Sequence, residues 1–140
     1  MKERLLRKQS AMGEFLEFAI VMPIILLIFM VIISYYQISE CEQRLIYATY
    51  RSGREAVTSY DKADALKAMG DVIAELYPGD SSVEYEIGID DGNWVKGNVT
   101  IITVRQKLDT LLPIGRGIHQ RSVGMMIEHS KWIKENVTYP

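Results

Sequence analysis

Residues 18–33 (FAIVMPIILLIFMVII) form one run of sixteen apolar residues, and the rest of the chain mixes apolar with polar positions. At about 1.5 Å of rise per residue the run covers roughly 24 Å as a helix. Ser34, Tyr35 and Tyr36 carry it toward the roughly 30 Å of a bilayer core. The pattern predicts a membrane-spanning helix over 14–36, with Tyr35 and Tyr36 at the level of an interfacial aromatic belt. Beyond it the spacing stays helical, because Ile38, Cys41, Leu45, Ala48 and Ser52 recur along one face as far as about Val57. Thr58-Ser-Tyr interrupts this helix. A second one begins at Asp61 and sets Ala65, Leu66, Met69, Val72, Ile73 and Leu76 on one face until Pro78-Gly79 stops it.

The period then shortens to 2. Val83, Tyr85, Ile87 and Ile89 alternate with polar residues or Gly88, and Asp90-Asp-Gly-Asn turns the chain into a strand containing Val99–Val104, which predicts an antiparallel hairpin. Pro113, Gly115 and Gly117 mark a loop, and Val123, Met125 and Ile127 alternate again as a third strand. The closing segment 131–140 reads as a short helix or tail, with Trp132 packing on the sheet. The fold class is therefore α+β: a long N-terminal transmembrane helix extending into a small head with a short helix and a three- to four-stranded antiparallel sheet. It divides into a basic leader 1–13, the transmembrane helix 14–36 and an α+β domain 37–140.

Charge sharpens this division. The 140 residues have a mean hydropathy of zero and a net charge of −2, but neither average describes any part of the chain. Residues 1–13 carry Lys2, Arg4, Arg7 and Lys8 against Glu3, a balance of +3, whereas everything after Gly13 carries 12 basic and 17 acidic residues. A basic head before an apolar run predicts a cytoplasmic N-terminus and a body on the far side of the membrane. No basic stripe with interleaved aromatics occurs in the body, which argues against nucleic acid as a partner. A cleaved secretory signal fits poorly, because the run is long for one and Ser34-Tyr-Tyr-Gln-Ile-Ser-Glu-Cys-Glu offers no small-x-small cleavage site. Hydropathy leaves a plain single-pass anchor standing.

Three residues at the head of the apolar run bear on what else it does. Glu14 and Glu17 sit at its first turn, where a carboxylate is costly unless it has water, a partner or the positive end of the helix dipole. Pro23 lies inside the run, where it removes one backbone hydrogen bond and predicts a kink or local loosening.

The string Glu17-Phe18-Ala19-Ile20-Val21-Met22-Pro23-Ile24-Ile25-Leu26-Leu27, behind a basic head containing Gly13, resembles the EFAxxxPxLL signature of TadE-like proteins, the minor pilins or pseudopilins of tight-adherence (Flp-type) pili. Ala48-Thr-Tyr-Arg51-Ser-Gly53-Arg54-Glu-Ala56 is similar to the AAREGARxA segment that follows the membrane helix in that family. The resemblance covers residues 13–27 and 45–57. It implies a pilin-like head and a leader cut by a prepilin peptidase at Gly13–Glu14. It also implies membrane lipid, other pilins or pseudopilins and an inner-membrane assembly platform as partners. Family leaders commonly place a Glu fifth after the cut, whereas cutting after Gly13 leaves Glu17 fourth. Glu17 (or, given that spacing, Glu14), Phe18 and Pro23 are the expected register and assembly residues. When bare helices pack without water, a buried carboxylate needs a cation, and a neighbouring subunit's N-terminal amine can supply one.

The head itself offers little chemistry. Gly53 costs its helix about 1 kcal/mol relative to Ala and predicts a close packing contact. Arg51 and Arg54 read as a solvated face near Glu55. Cys41 is the only cysteine, so there is no internal disulfide; it either packs as a small apolar residue or pairs between chains. His119 and His129 lack metal-ligand spacing, Asp90-Asp91 lacks that of a calcium loop, and no phosphate loop or nucleophile elbow occurs. Asn98-Val-Thr and Asn136-Val-Thr match the glycosylation triplet, a pattern frequent by chance. No cofactor, metal or enzymatic activity is expected. The alternative to the pilin reading is a single-pass, membrane-anchored extracytoplasmic binding or sensor module.

Overall fold

The computed structural model describes residues 2–129. Helix α1 spans Lys2–Val57, continuing from the apolar run into the head. It passes through Pro23 without interruption, so the loosening expected there does not break the helix. One missing hydrogen bond is tolerable between long stretches of helix-forming residues. Helix α2, Lys62–Leu76, starts at Asp61, whose carboxylate accepts the Asp64 amide at 2.8 Å. That side chain satisfies one of the amides a helix start leaves open. At the other end Tyr77 donates its amide to Ile73 O at 2.8 Å, and Pro78 ends the helix.

Three strands, β1 (Val83–Ile87), β2 (Val99–Leu108) and β3 (Gly117–Met126), form an antiparallel sheet in the order β1-β2-β3. Val83 faces Gln106 across the first pair, and Leu108 faces Gly117 across the second. The β1–β2 connection is wider than a tight hairpin. It contains a single 3-10 turn, Asp91–Asn93, followed by Trp94. Residues 109–116 join β2 to β3.

Both helices pack on one face of the sheet. On β2 the inward positions Thr100, Ile102 and Val104 are buried and the outward Val99 and Ile101 are exposed, the alternation a half-buried strand requires. Two clusters fill the space between the layers. Farther from the apolar run lie Ala56, Ala65, Met69, Ile87, Trp94, Ile102 and Ile127. Nearer to it lie Cys41, Leu45, Ala48, Ile73, Tyr77 and Val104. The expected faces of both helices are the buried ones, with Ile38, Leu66 and Leu76 partly buried at their margins. Leu45, fully buried, contributes about 2 kcal/mol by its removal from water.

Several expectations change. The third strand runs from Gly117, six residues before Val123, to Met126, one residue short of Ile127, because its first half is an edge strand whose polar residues obscure the alternation. Ile89 falls outside β1, which ends at Ile87, although the Gly88 amide still donates to Ile101 O at 2.8 Å. Arg51 and Arg54 are not simply solvated beside Glu55: they reach Glu75 at 3.0 Å and Glu128 at 2.7 Å. These bridges are exposed, so each is worth at most about 1 kcal/mol. Trp132 and the closing segment lie outside the described residues.

Candidate functional site

The apolar part of α1 is not buried by any other described part of the chain. Every residue from Met12 to Ile33 is exposed, and the most apolar stretch buries none of its residues within the protein. A core helix of a soluble protein would be covered by neighbouring elements. This one is long and apolar enough to cross a membrane, and it is the single candidate span among the described residues. From Met12 onward the first buried residue along α1 is Ser34, directly after the apolar run ends.

The residues singled out at the head of the run all lie on this bare helix. Glu14 and Glu17 are three residues apart, which puts them on neighbouring parts of one face, and Phe18 and Pro23 follow on the exposed helix. A side chain added at Gly13 would meet nothing within 4 Å. Gly53 is elsewhere: at about 1.5 Å per residue it lies roughly 54 Å along the helix from Glu17. There α1 comes close to the sheet. A Cβ on Gly53 would fall 2.9 Å from Met125 Sδ and 3.3 Å from Ile102 Cγ1. The structure therefore separates a membrane-proximal group, Gly13, Glu14, Glu17, Phe18 and Pro23, from a packing position in the head.

The head's polar clusters hold elements together. Glu42 on α1 accepts from Arg121 on β3 at 2.7 Å and lies 3.9 Å from His119 Nδ1, while His119 Nε2 is 2.8 Å from Gly115 O. Asp80 accepts the Ser82 hydroxyl at 2.6 Å and its amide at 2.9 Å, and these bonds hold its carboxyl below the usual range. Gln106 on β2 links the α2–β1 connection to α1, donating to Asp80 at 3.2 Å and accepting from Cys41 Sγ at 3.4 Å.

Cys41 is buried, and burial pushes its thiol up, with the Glu42 charge adding to the effect. A thiol held protonated is a poor nucleophile. Burial also pushes the Tyr77 phenol up to about 12, and its oxygen has no hydrogen-bond partner among the described residues. Among the described residues no group of three or more His, Cys, Asp or Glu is placed to hold a metal ion.

Two features escaped the sequence reading. Trp94, buried in the far cluster, donates Nε1–H to Ser59 O at 3.1 Å and ties the β1–β2 connection to the end of α1. Its position next to a turn gave no periodic signal. The loop 109–116 folds back onto α1, where the Leu112 amide donates to Ser34 Oγ at 3.3 Å and the Leu111 amide to Gln37 Oε1 at 3.4 Å. Only the two apolar residues before Pro113 hinted at it. No model of a known protein family matches this chain, and neither does any curated protein or solved structure.

Proposed function

We propose that this chain is a minor pilin or pseudopilin of the tight-adherence type, a structural component in the assembly of an adhesion pilus. Its N-terminus is cytoplasmic, α1 crosses the inner membrane and the head is extracytoplasmic. The observation that carries the reading is the form of α1: one helix, bare from Met12 to Ile33, then packed across an antiparallel sheet without a break. Such a helix can exchange lipid for the helices of sister subunits while the head stays folded. In that exchange Glu17 loses water and gains a cationic partner, the amine released when a prepilin peptidase cuts between Gly13 and Glu14. Register along the bundle follows from that pairing, since an unpaired carboxylate in such a setting is strongly unfavourable.

Intact-mass measurement on membrane-extracted protein, from a host with an active prepilin peptidase, tests processing: the expected chain begins at Glu14. A chain still beginning at Met1 counts against the reading. Glu17→Ala is expected to abolish piliation and surface adhesion while leaving the head folded. A binding or sensor module that uses α1 only as an anchor would show no such loss.

A further inference from the structure

We propose that the loop 109–116, together with Ile118, is a second membrane contact that dips into the lipid interface beside the outer end of α1. The proposal rests on the reading that α1 crosses the bilayer and adds to it a part of the head.

The loop's depth follows from where it is attached. The middle of the apolar run lies between Ile25 and Leu26, and Ser34 is about 13 Å along the helix from that point, against about 15 Å for half a bilayer core. Gln37 is roughly 17 Å away. The Leu111 and Leu112 amides bond to these two side chains, so the loop backbone sits at the hydrocarbon boundary. Next to them Gly115, at φ +75°, lies over Ile38, where an added Cβ would come within 2.1 Å of Ile38 Cδ1. Only glycine allows this approach and this conformation together.

The loop's composition and bonding suit lipid. Leu111 is 54% exposed, Ile114 60% and Ile118 74%, and Pro113 is exposed as well. Part of the backbone, in contrast, is bonded from within. The buried Thr110 hydroxyl is bonded to Leu112 O and, at 2.9 Å, to Ile114 O. Arg116 donates to Thr110 O at 3.2 Å and pairs with Asp109 at 3.5 Å. Apolar side chains turned out over partly bonded backbone groups suit the membrane interface, where water still reaches the remaining polar groups. The loop also continues the apolar surface of α1, so a bilayer that takes up Ile33 meets it directly.

The test uses the full chain in vesicles of phosphatidylethanolamine and phosphatidylglycerol, with nitroxide labels on single cysteines in a Cys41→Ser background. Labels go at Ile114→Cys, at Ile28→Cys inside the apolar run and at Lys96→Cys near the far end of β2. Accessibility to oxygen, which concentrates in lipid, is compared with accessibility to a water-soluble nickel chelate. The expected oxygen-to-nickel ratio at 114 is several-fold above that at 96 and approaches that at 28. A ratio at 114 equal to that at 96, with 28 in lipid, overturns the proposal and leaves the membrane helix intact. A ratio at 28 equal to that at 96 overturns the membrane helix and the proposal with it. Shelter of 114 in native membranes but not in pure lipid vesicles puts a protein there instead and also overturns it. Because Cys41 lies in the core, the three positions are read again in chains that keep it, where its buried thiol labels slowly.

Discussion

Replacing Gly53 tests how closely α1 approaches the sheet. Alanine at this position gains about 1 kcal/mol of helix propensity. Its Cβ, however, falls 2.9 Å from Met125 Sδ, 3.2 Å from Met125 Cε and 3.3 Å from Ile102 Cγ1. The end of Met125 is flexible and only partly buried, so it can swing aside at modest cost. Ile102 is fully buried and, being β-branched, is stiff at its first torsion. Gly53→Ala is therefore expected to change stability by less than about 1 kcal/mol. Gly53→Leu places more carbon into a gap closed by Ile102 and costs about 1–3 kcal/mol. The decisive comparison is a cycle with Met125→Ala. Without the methionine end only the Ile102 contact remains, so Gly53→Ala becomes stabilising by about 1 kcal/mol in that background. Denaturant titration of the full chain in detergent micelles, followed by Trp94 fluorescence in a Trp132→Phe background, reads the head alone. A Gly53→Leu midpoint equal to that of the parent chain, or the same effect of Gly53→Ala with and without Met125, would refute the close approach.

Other perturbations follow from the same packing. Trp94→Ala empties part of the far core cluster and is expected to cost about 3–5 kcal/mol, measured by thermal unfolding in micelles with circular dichroism as the probe. Asp61→Ala removes the cap of α2 and should cost about 1 kcal/mol in the same assay. Tyr77 makes the head sensitive to alkali. Its phenol is raised from 10.0 to about 12 by burial, with the nearby Cys41 adding to the effect. The proton is thus bound more tightly in the folded head, so stability is full below pH 10 and falls as pH rises toward 12, by on the order of 2–3 kcal/mol. Cys41, also raised, begins its own loss above pH 9. Tyr77→Phe should flatten the upper part of this limb in stability measured against pH, and an unchanged limb would count against a buried phenol.

Much of the head was legible in the sequence because its elements carry strong periods. α1 and α2 each place apolar residues at helical spacing, and their ends are marked by Thr58-Ser-Tyr, Asp61 and Pro78. The inward face of β3 could be followed at Val123 and Met125, and the buried Ile127 lies just past its end. Its first half could not, since His119, Gln120 and Arg121 lie on a sheet edge where polar side chains are free of any burial rule. Trp94 and the loop 109–116 were hidden for a different reason. They are held by hydrogen bonds to distant partners, Ser59 for the one and Ser34 and Gln37 for the other. No local period encodes such bonds. At the apolar run the sequence marked Glu14, Glu17 and Pro23 by their cost in lipid. A single chain supplies no neighbour to answer that cost.

The junction between the two parts of the chain is stiff, and this shapes what the head can do. From Ile24 to Ser52 the sequence has no glycine or proline, and α1 is continuous across the whole stretch. Kinks in helices arise at such residues or at inserted groups, and none of the former is available here. The sheet is fastened to α1 at several levels: at Ser34 and Gln37 through the loop, at Glu42 through Arg121, and at Gly53 through Met125 and Ile102. A rotation of the apolar helix by one residue's worth, about 100°, must therefore carry the head with it. The apolar helix from Ile24 onward is thus fastened to the sheet, whereas Glu14 and Glu17 lie beyond Pro23, where a helix can bend. A neighbour that fixes the rotation of the helix between Ile24 and Ser52 therefore also fixes which face of the sheet it meets.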